Sequence, residues 1–103
     1  MKRLQNILFE LSSEERMSLM LELQKHKSKL SPISRKLDLT VAETSRHLQR
    51  LSEAGLVQKD VNGIYAVAPF GALVLSLLSS LGFVSKHRVR IFSYFANRHG
   101  HNI

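Results

Sequence analysis

A chain of 103 residues is the length of one small domain, with room for a single core and little room for an elaborate active site. Fifteen Lys and Arg against eight Asp and Glu give a formal charge of +7, which favours a polyanionic partner, either nucleic acid or an anionic membrane. Zero cysteines exclude a disulfide framework and any thiolate metal or redox site, and "MKRLQNILFELSSEER" lacks the long apolar core of a secretion signal, so a cytoplasmic location is expected.

In chain order, Leu4, Ile7, Leu8 and Leu11 repeat at helical spacing, and Ser12 with Glu15 reads as a capping box opening a second run through Met17, Met20, Leu21 and Leu23. This predicts one or two opening helices. In "LSPISRKLDLT", Ser31 is a fitting N-cap, Pro32 suits the first helical position, and Ile33 with Leu37 gives one short apolar face. Asp38 and Leu39 then connect to Thr40, which forms a capping box with Glu43 and starts "TVAETSRHLQRLSEAGLV". Two helices joined by so short a turn read as a helix-turn-helix.

Gly55 ends the second of these helices, and in "LVQKDVNGIYAVA" the pair Asn62-Gly63 between two β-rich runs predicts a hairpin, the wing, over residues 56–68. A two-residue turn would put Lys59 on the face of Val57 and Val61, and Gln58 and Asp60 on that of Tyr65 and Val67; neither face is clean, so the hairpin is predicted without its pairing. Residues 61–85 carry no charge, and from Phe70 onward Val74, Leu77, Leu81 and Val84 alternate by three and four, the seam spacing of packed helices. Gly82 interrupts the run. A last helix, "SKHRVRIFSYFANR", sets Val89, Phe92 and Phe95 beside Lys86, Arg88, Arg90 and Arg98.

The resulting expectation is a mainly α fold with a small β-hairpin, a single winged helix-turn-helix domain over 1–103. Residues 1–69 hold the opening helices, helix-turn-helix and wing; 70–103 hold C-terminal dimerisation helices and a basic tail. The dimer surface is expected at Leu4, Leu8, Phe70, Val74, Leu77, Leu81 and Phe92, because so small a domain cannot bury that many apolar side chains alone.

At about 100° per residue, Thr44, Leu48 and Leu51 share one face of the helix over 40–54 with Val41 close beside them, while Ala42, Arg46, Gln49 and Arg50 lie opposite. An isolated helix with such a face is usually just solvated. Behind a short capped helix and ahead of a wing, the same face is placed for the DNA major groove, where Arg pairs with guanine and Gln with adenine.

"TVAETSRHLQRLSEAGLV" followed by "NGIYAVAPFGALVLSLL" resembles the winged-helix domain of ArsR-type prokaryotic transcription regulators, and the tail through "LGFVSKHRVRIF" is similar to archaeal members; the likeness spans roughly residues 12–95. It implies a homodimeric, sequence-specific regulator of double-stranded DNA, with the helix at 40–54 in the major groove and the wing on the backbone. It assigns Ala42, Ser45, Arg46 and Gln49 to bases, Thr40 and Arg50 to phosphates, and Lys59 to backbone near the wing tip. The metal-sensing branch uses a cysteine pair in the helix corresponding to "SRKLDL", which has none, so arsenite sensing by that site is excluded. Archaeal relatives often continue into a sensor domain, whereas this sequence stops at "FANRHGHNI", leaving the sensor absent or on a missing part and the effector unnamed.

Three other readings are weaker. His99 and His101, even joined by His87, fall short of the three or four fixed ligands zinc needs without a nearby acid, so no metal is expected. Residues 66–84 are uncharged, but Pro69 and Gly82 leave about 12 helical residues against the roughly 20 that cross a bilayer, so no membrane span is expected. No Gly-rich phosphate loop, catalytic carboxylate pair or activated nucleophile appears, so neither enzyme nor cofactor is expected. His47, at the edge of the polar face, suits a phosphate contact and simple exposure equally. The remaining competitor is a winged helix serving as a protein-interaction or RNA-binding module, since a fold does not fix its use.

Overall fold

A computed structural model describes residues 2–81, the first two by backbone alone. Among them are five helices and one two-stranded antiparallel sheet: α1 (Lys2–Leu11), α2 (Glu14–Lys25), α3 (Leu30–Lys36), α4 (Val41–Glu53), β1 (Val57–Lys59), β2 (Tyr65–Val67) and α5 (Pro69–Ser80). This is a winged helix-turn-helix. The chain divides into two compact units, Met1–Ala72 and Leu73–Ile103. The last predicted helix, Phe92 and the three histidines 87, 99 and 101 lie outside the described residues.

The opening segment is two helices. The second is capped one residue later than predicted: the Ser13 hydroxyl accepts from the Arg16 N–H at 3.2 Å, while Ser12 donates back to the Phe9 carbonyl at 2.6 Å. Ser12 closes α1 and Ser13 opens α2. α2 contacts α1, α4 and β2, so it buries residues on several sides: Met17, Leu19, Met20 and Leu23, with Leu19 rather than Leu21 fully enclosed. A helix surrounded in this way carries no single apolar stripe, which is why spacing alone misplaced Leu21.

α3 also starts earlier than expected. Ser28 exchanges two backbone hydrogen bonds with Tyr65, at 3.0 and 2.7 Å, and the helix begins directly after this bridge with Lys29 at the N-cap. Pro32 therefore stands third in the helix rather than first, still within the turn whose N–H groups have no helical partner.

Each helix of the helix-turn-helix ends in the same way. The Leu39 N–H reaches the Ser34 carbonyl at 2.9 Å and the Asp38 N–H that of Arg35 at 3.2 Å, with Asp38 at φ 57°. After α4 the Leu56 N–H reaches Leu51 at 2.9 Å and the Gly55 N–H Ser52 at 3.0 Å, with Gly55 at φ 78°. Both are Schellman closures, which need one left-handed residue.

The wing has a register one residue away from the two-residue-turn alternative. Val57 faces Val67, Gln58 faces Ala66 and Lys59 faces Tyr65; Asp60 N–H bonds Ile64, so three residues, Val61 to Gly63, form the loop. Gly63 at φ 80° supplies the left-handed position of such loops, and the Asp60 carboxylate accepts from the Asn62 and Ile64 N–H groups at 2.8 and 3.0 Å. Those two bonds reward the longer loop. Lys59 thereby joins the face of Val57, Tyr65 and Val67, its ammonium 5.6 Å from the Tyr65 ring centre.

α5 starts against the residue that leads into β1: the Leu56 carbonyl accepts from Ala68 N–H at 3.0 Å, and a Cβ on Gly71 would collide with that carbonyl. The backbones approach so closely that only glycine fits. Along α5, Leu75 and Leu78 are buried, whereas Leu73, Leu77 and, just past the helix, Leu81 are exposed by 55%, 57% and 79%.

Candidate nucleic-acid interface

The turn between α3 and α4 is set by Thr40. Its hydroxyl accepts from the Glu43 N–H at 3.0 Å and the Glu43 carboxylate accepts from the Thr40 N–H at 3.1 Å, a complete capping box. These hydrogen bonds hold the Glu43 carboxyl below the usual glutamate range. Thr44, Leu48 and Leu51 are fully buried, as their spacing predicts. Val41 is not: it is half exposed.

On the opposite side Ala42, Ser45, Arg46 and Gln49 are all exposed along one stripe of α4. No hydrogen bond or ion pair links the Arg46 or Gln49 side chain to another described residue. Ser45 and Gln49, with Ser52, also form one wall of a cleft of about 520 Å³ whose other wall is Val57, Gln58, Lys59 and Tyr65 of the wing. The cleft is open to solvent and carries hydroxyls, amides and one cation, groups that suit a sugar-phosphate strand. Ser52 continues the helical spacing of Ser45 and Gln49, whereas Gln58 and Tyr65 join the site only through the fold.

Arg50 is placed differently from its neighbours. Its Nε and Nη2 donate to the two carboxylate oxygens of Glu10 in α1, at 3.0 and 3.1 Å, and its guanidinium lies 5.5 Å from the Phe9 ring centre. The hydrogen bonds to Glu10 hold its proton more firmly than usual. Arg16, buried in α2, meets the same residue: its Nε donates to the Glu10 carbonyl at 2.7 Å and lies 3.0 Å from a carboxylate oxygen. Glu10 thus ties α1, α2 and α4 together. The fork joins residues 40 apart in sequence, and Arg16 reaches a residue 31 positions away in α4, so local patterns mark neither Glu10 nor Arg16.

The far end of Arg16 reaches α4, with Nη1 3.3 Å from Nδ1 of His47. A guanidinium can only donate, so Nδ1 accepts and the proton of the neutral ring sits on Nε2. Burial, then the neighbouring Arg16 charge, push His47 below the usual histidine range. Burial likewise lowers Arg16, partly offset by Glu10. His47 is therefore a neutral, half-buried ring held from behind, with its Nε2–H as the remaining donor.

No described helix is long and apolar enough to cross a membrane, and no group of metal-binding side chains occurs among the described residues.

Comparison with known proteins fits this architecture. The chain is similar in structure to an ArsR-like transcriptional regulator from Rhodococcus sp. RHA1, with a TM-score of 0.63 at 22% identity, covering 93% of this chain and 92% of that one. No curated protein matches it in sequence. The expected likeness to archaeal members is not shown by either the structural or the family comparison. The family model of the arsR family of bacterial regulatory proteins matches residues 6–59, just over half the chain, from α1 through β1. The chain belongs to the arsR family, whose members are transcriptional regulators.

Proposed function

We propose that the protein is a sequence-specific regulator of double-stranded DNA that acts as a homodimer, with α4 in the major groove and the wing on the adjoining backbone. One observation carries the reading. Three cationic or ring side chains at the back and side of α4, Arg16, His47 and Arg50, are held by protein partners, whereas Arg46 and Gln49 are left projecting from the exposed stripe. The contacts behind α4 hold it in place, and the groups in front are available to read bases.

Ala42, Ser45, Arg46 and Gln49 are assigned to base edges. Thr40 keeps its hydroxyl hydrogen to donate to a phosphate, and Lys59 neutralises another. Arg50, expected from the resemblance to contact a phosphate, is assigned instead to bracing α4 through Glu10. The homodimer rests on the apolar side chains left exposed, Leu4 and Leu8 with Phe9 on α1, Leu73 and Leu77 on α5, and Leu81 directly after it.

The test is enrichment of duplexes from a random pool by the purified chain. A two-fold symmetric consensus whose half-sites lie about one helical turn, or a multiple of it, apart is the expected result. Enrichment of no sequence, with binding to RNA or to a protein partner instead, would replace this reading with that of an interaction module.

A further inference from the structure

From the end of α2 to the N-cap of α3 the chain reads "QKHKSK", with Lys25, Lys27 and Lys29 and no acid. All three lysines are exposed. A free loop of this kind would be an ordinary solvated connection, but this one is fixed. The Ser28–Tyr65 bridge pins it to the outer edge of β2, and His26 and Lys29 on either side are extended, with φ and ψ of −148° and 122°, and −79° and 168°. In an extended segment alternate side chains leave the same side, so Lys27 and Lys29 project together, about 6.7 Å apart along the strand.

Their neighbour is the wing. Lys27 lines a depression of about 300 Å³ with Gln58, Lys59, Asp60, Ile64 and Ala66, and Lys59 borders both this depression and the cleft against α4. Lys27 and Lys29 also act on Asp60, whose carboxylate is already engaged by the Ile64 and Asn62 N–H groups. That acid therefore already has backbone partners, and its single charge is set against those of Lys27 and Lys29. Lys59 thus links the α4 side of the wing to the depression beside Lys27, with Lys29 two residues further along the chain.

We propose that Lys27 and Lys29 form a second backbone-contact surface, which takes the phosphates of duplex DNA flanking the site held by α4 and the wing. This rests on the DNA-binding reading above and extends it: the footprint continues past the wing, and the flanking duplex follows the protein surface to reach the lysines. The occupant is a polyanion with evenly spaced charges along one line, as a phosphate backbone presents.

The experiment compares the full chain and its Lys27→Ala/Lys29→Ala variant on two duplexes, one just spanning the two half-sites and one extended by about one helical turn at each end. Dissociation constants are measured across a salt series. The wild type should show the steeper salt dependence on the longer duplex. The variant should lose a slope of about 0.9 per lysine on the longer duplex only, and match the wild type on the shorter one. Lys36→Ala, at a lysine paired with Glu22 at 3.2 Å, removes a charge elsewhere and should match the wild type on both. Equal slopes on the two duplexes for the wild type, or an equal loss on both for the variant, would overturn the flanking surface while leaving DNA binding itself intact. A wild type that binds neither duplex would overturn both readings.

Discussion

Arg46 and Arg50 illustrate how far residue type alone falls short. They are one turn apart on α4, and sequence assigns both to DNA; yet Arg50 is forked onto Glu10 while Arg46 has no such partner. Salt dependence separates their roles. Lys59→Ala should flatten the logarithmic slope of DNA affinity against salt by about 0.9, as one phosphate contact requires, whereas Arg50→Ala should leave the slope unchanged. A flattened slope in Arg50→Ala would return that residue to the phosphate contacts. His47 gives a second prediction at this scale. Its unfolded ring takes up a proton near pH 6.5, and the folded ring, depressed by burial and by Arg16, does so only at lower pH. Between those values the unfolded chain binds more protons, so stability rises with pH there, is complete above about 6.5 and is lost as pH falls through the folded value. Urea unfolding across this range should show that decline, and His47→Gln should weaken it. In Arg16→Met the imidazole titration followed by NMR should move upward without reaching the ordinary value, since burial remains the larger cause.

At the scale of the element, legibility followed the range of the interactions that decide each boundary. Thr40 and Glu43 form their capping box within four residues, and the sequence located the start of α4 correctly. Thr40→Ala should cost about 1 kcal/mol in unfolding experiments, the usual loss for such a cap. The start of α3 is decided by Ser28 pairing with Tyr65, a partner 37 positions away, so the N-cap is Lys29 and not the Ser31 that local pattern predicts. The hairpin was found from Asn62-Gly63, but its register was set by the Asp60 carboxylate bonding two N–H groups across the loop, which composition does not reveal. Gly71 carries no signal in local spacing; the Leu56 carbonyl lies where a Cβ would stand. Gly71→Ala should therefore destabilise by about 1–3 kcal/mol, the range for overfilling a close contact, measured by thermal or urea unfolding. An unchanged midpoint would mean the first turn of α5 shifts freely.

For the molecule as a whole, the order of elements and the polar stripe of α4 were legible because each depends on local periodicity. The brace behind that stripe was not, because Glu10, Arg16, His47 and Arg50 come from three helices. Burial along α5 falls on Leu75 and Leu78, while Leu77 and, just past the helix, Leu81 are exposed, as the proposed partner-facing surface requires. Changing Leu77 and Leu81 together to Gln should yield monomers or aggregates in sedimentation. A wild-type chain that sediments as a stable monomer at micromolar concentration would remove the homodimer.

The central claim, that the exposed stripe of α4 reads bases, is tested most directly by repeating the random-duplex selection with folded Arg46→Ala and Gln49→Ala. Each should cost about 1–3 kcal/mol on the preferred site, the range for one lost bidentate base contact, and relax the preference at one position in each half-site. Non-specific binding should change little in Gln49→Ala, which removes no charge. Consensus sequences identical to that of the wild type in both variants would contradict the account, leaving the stripe a solvated surface.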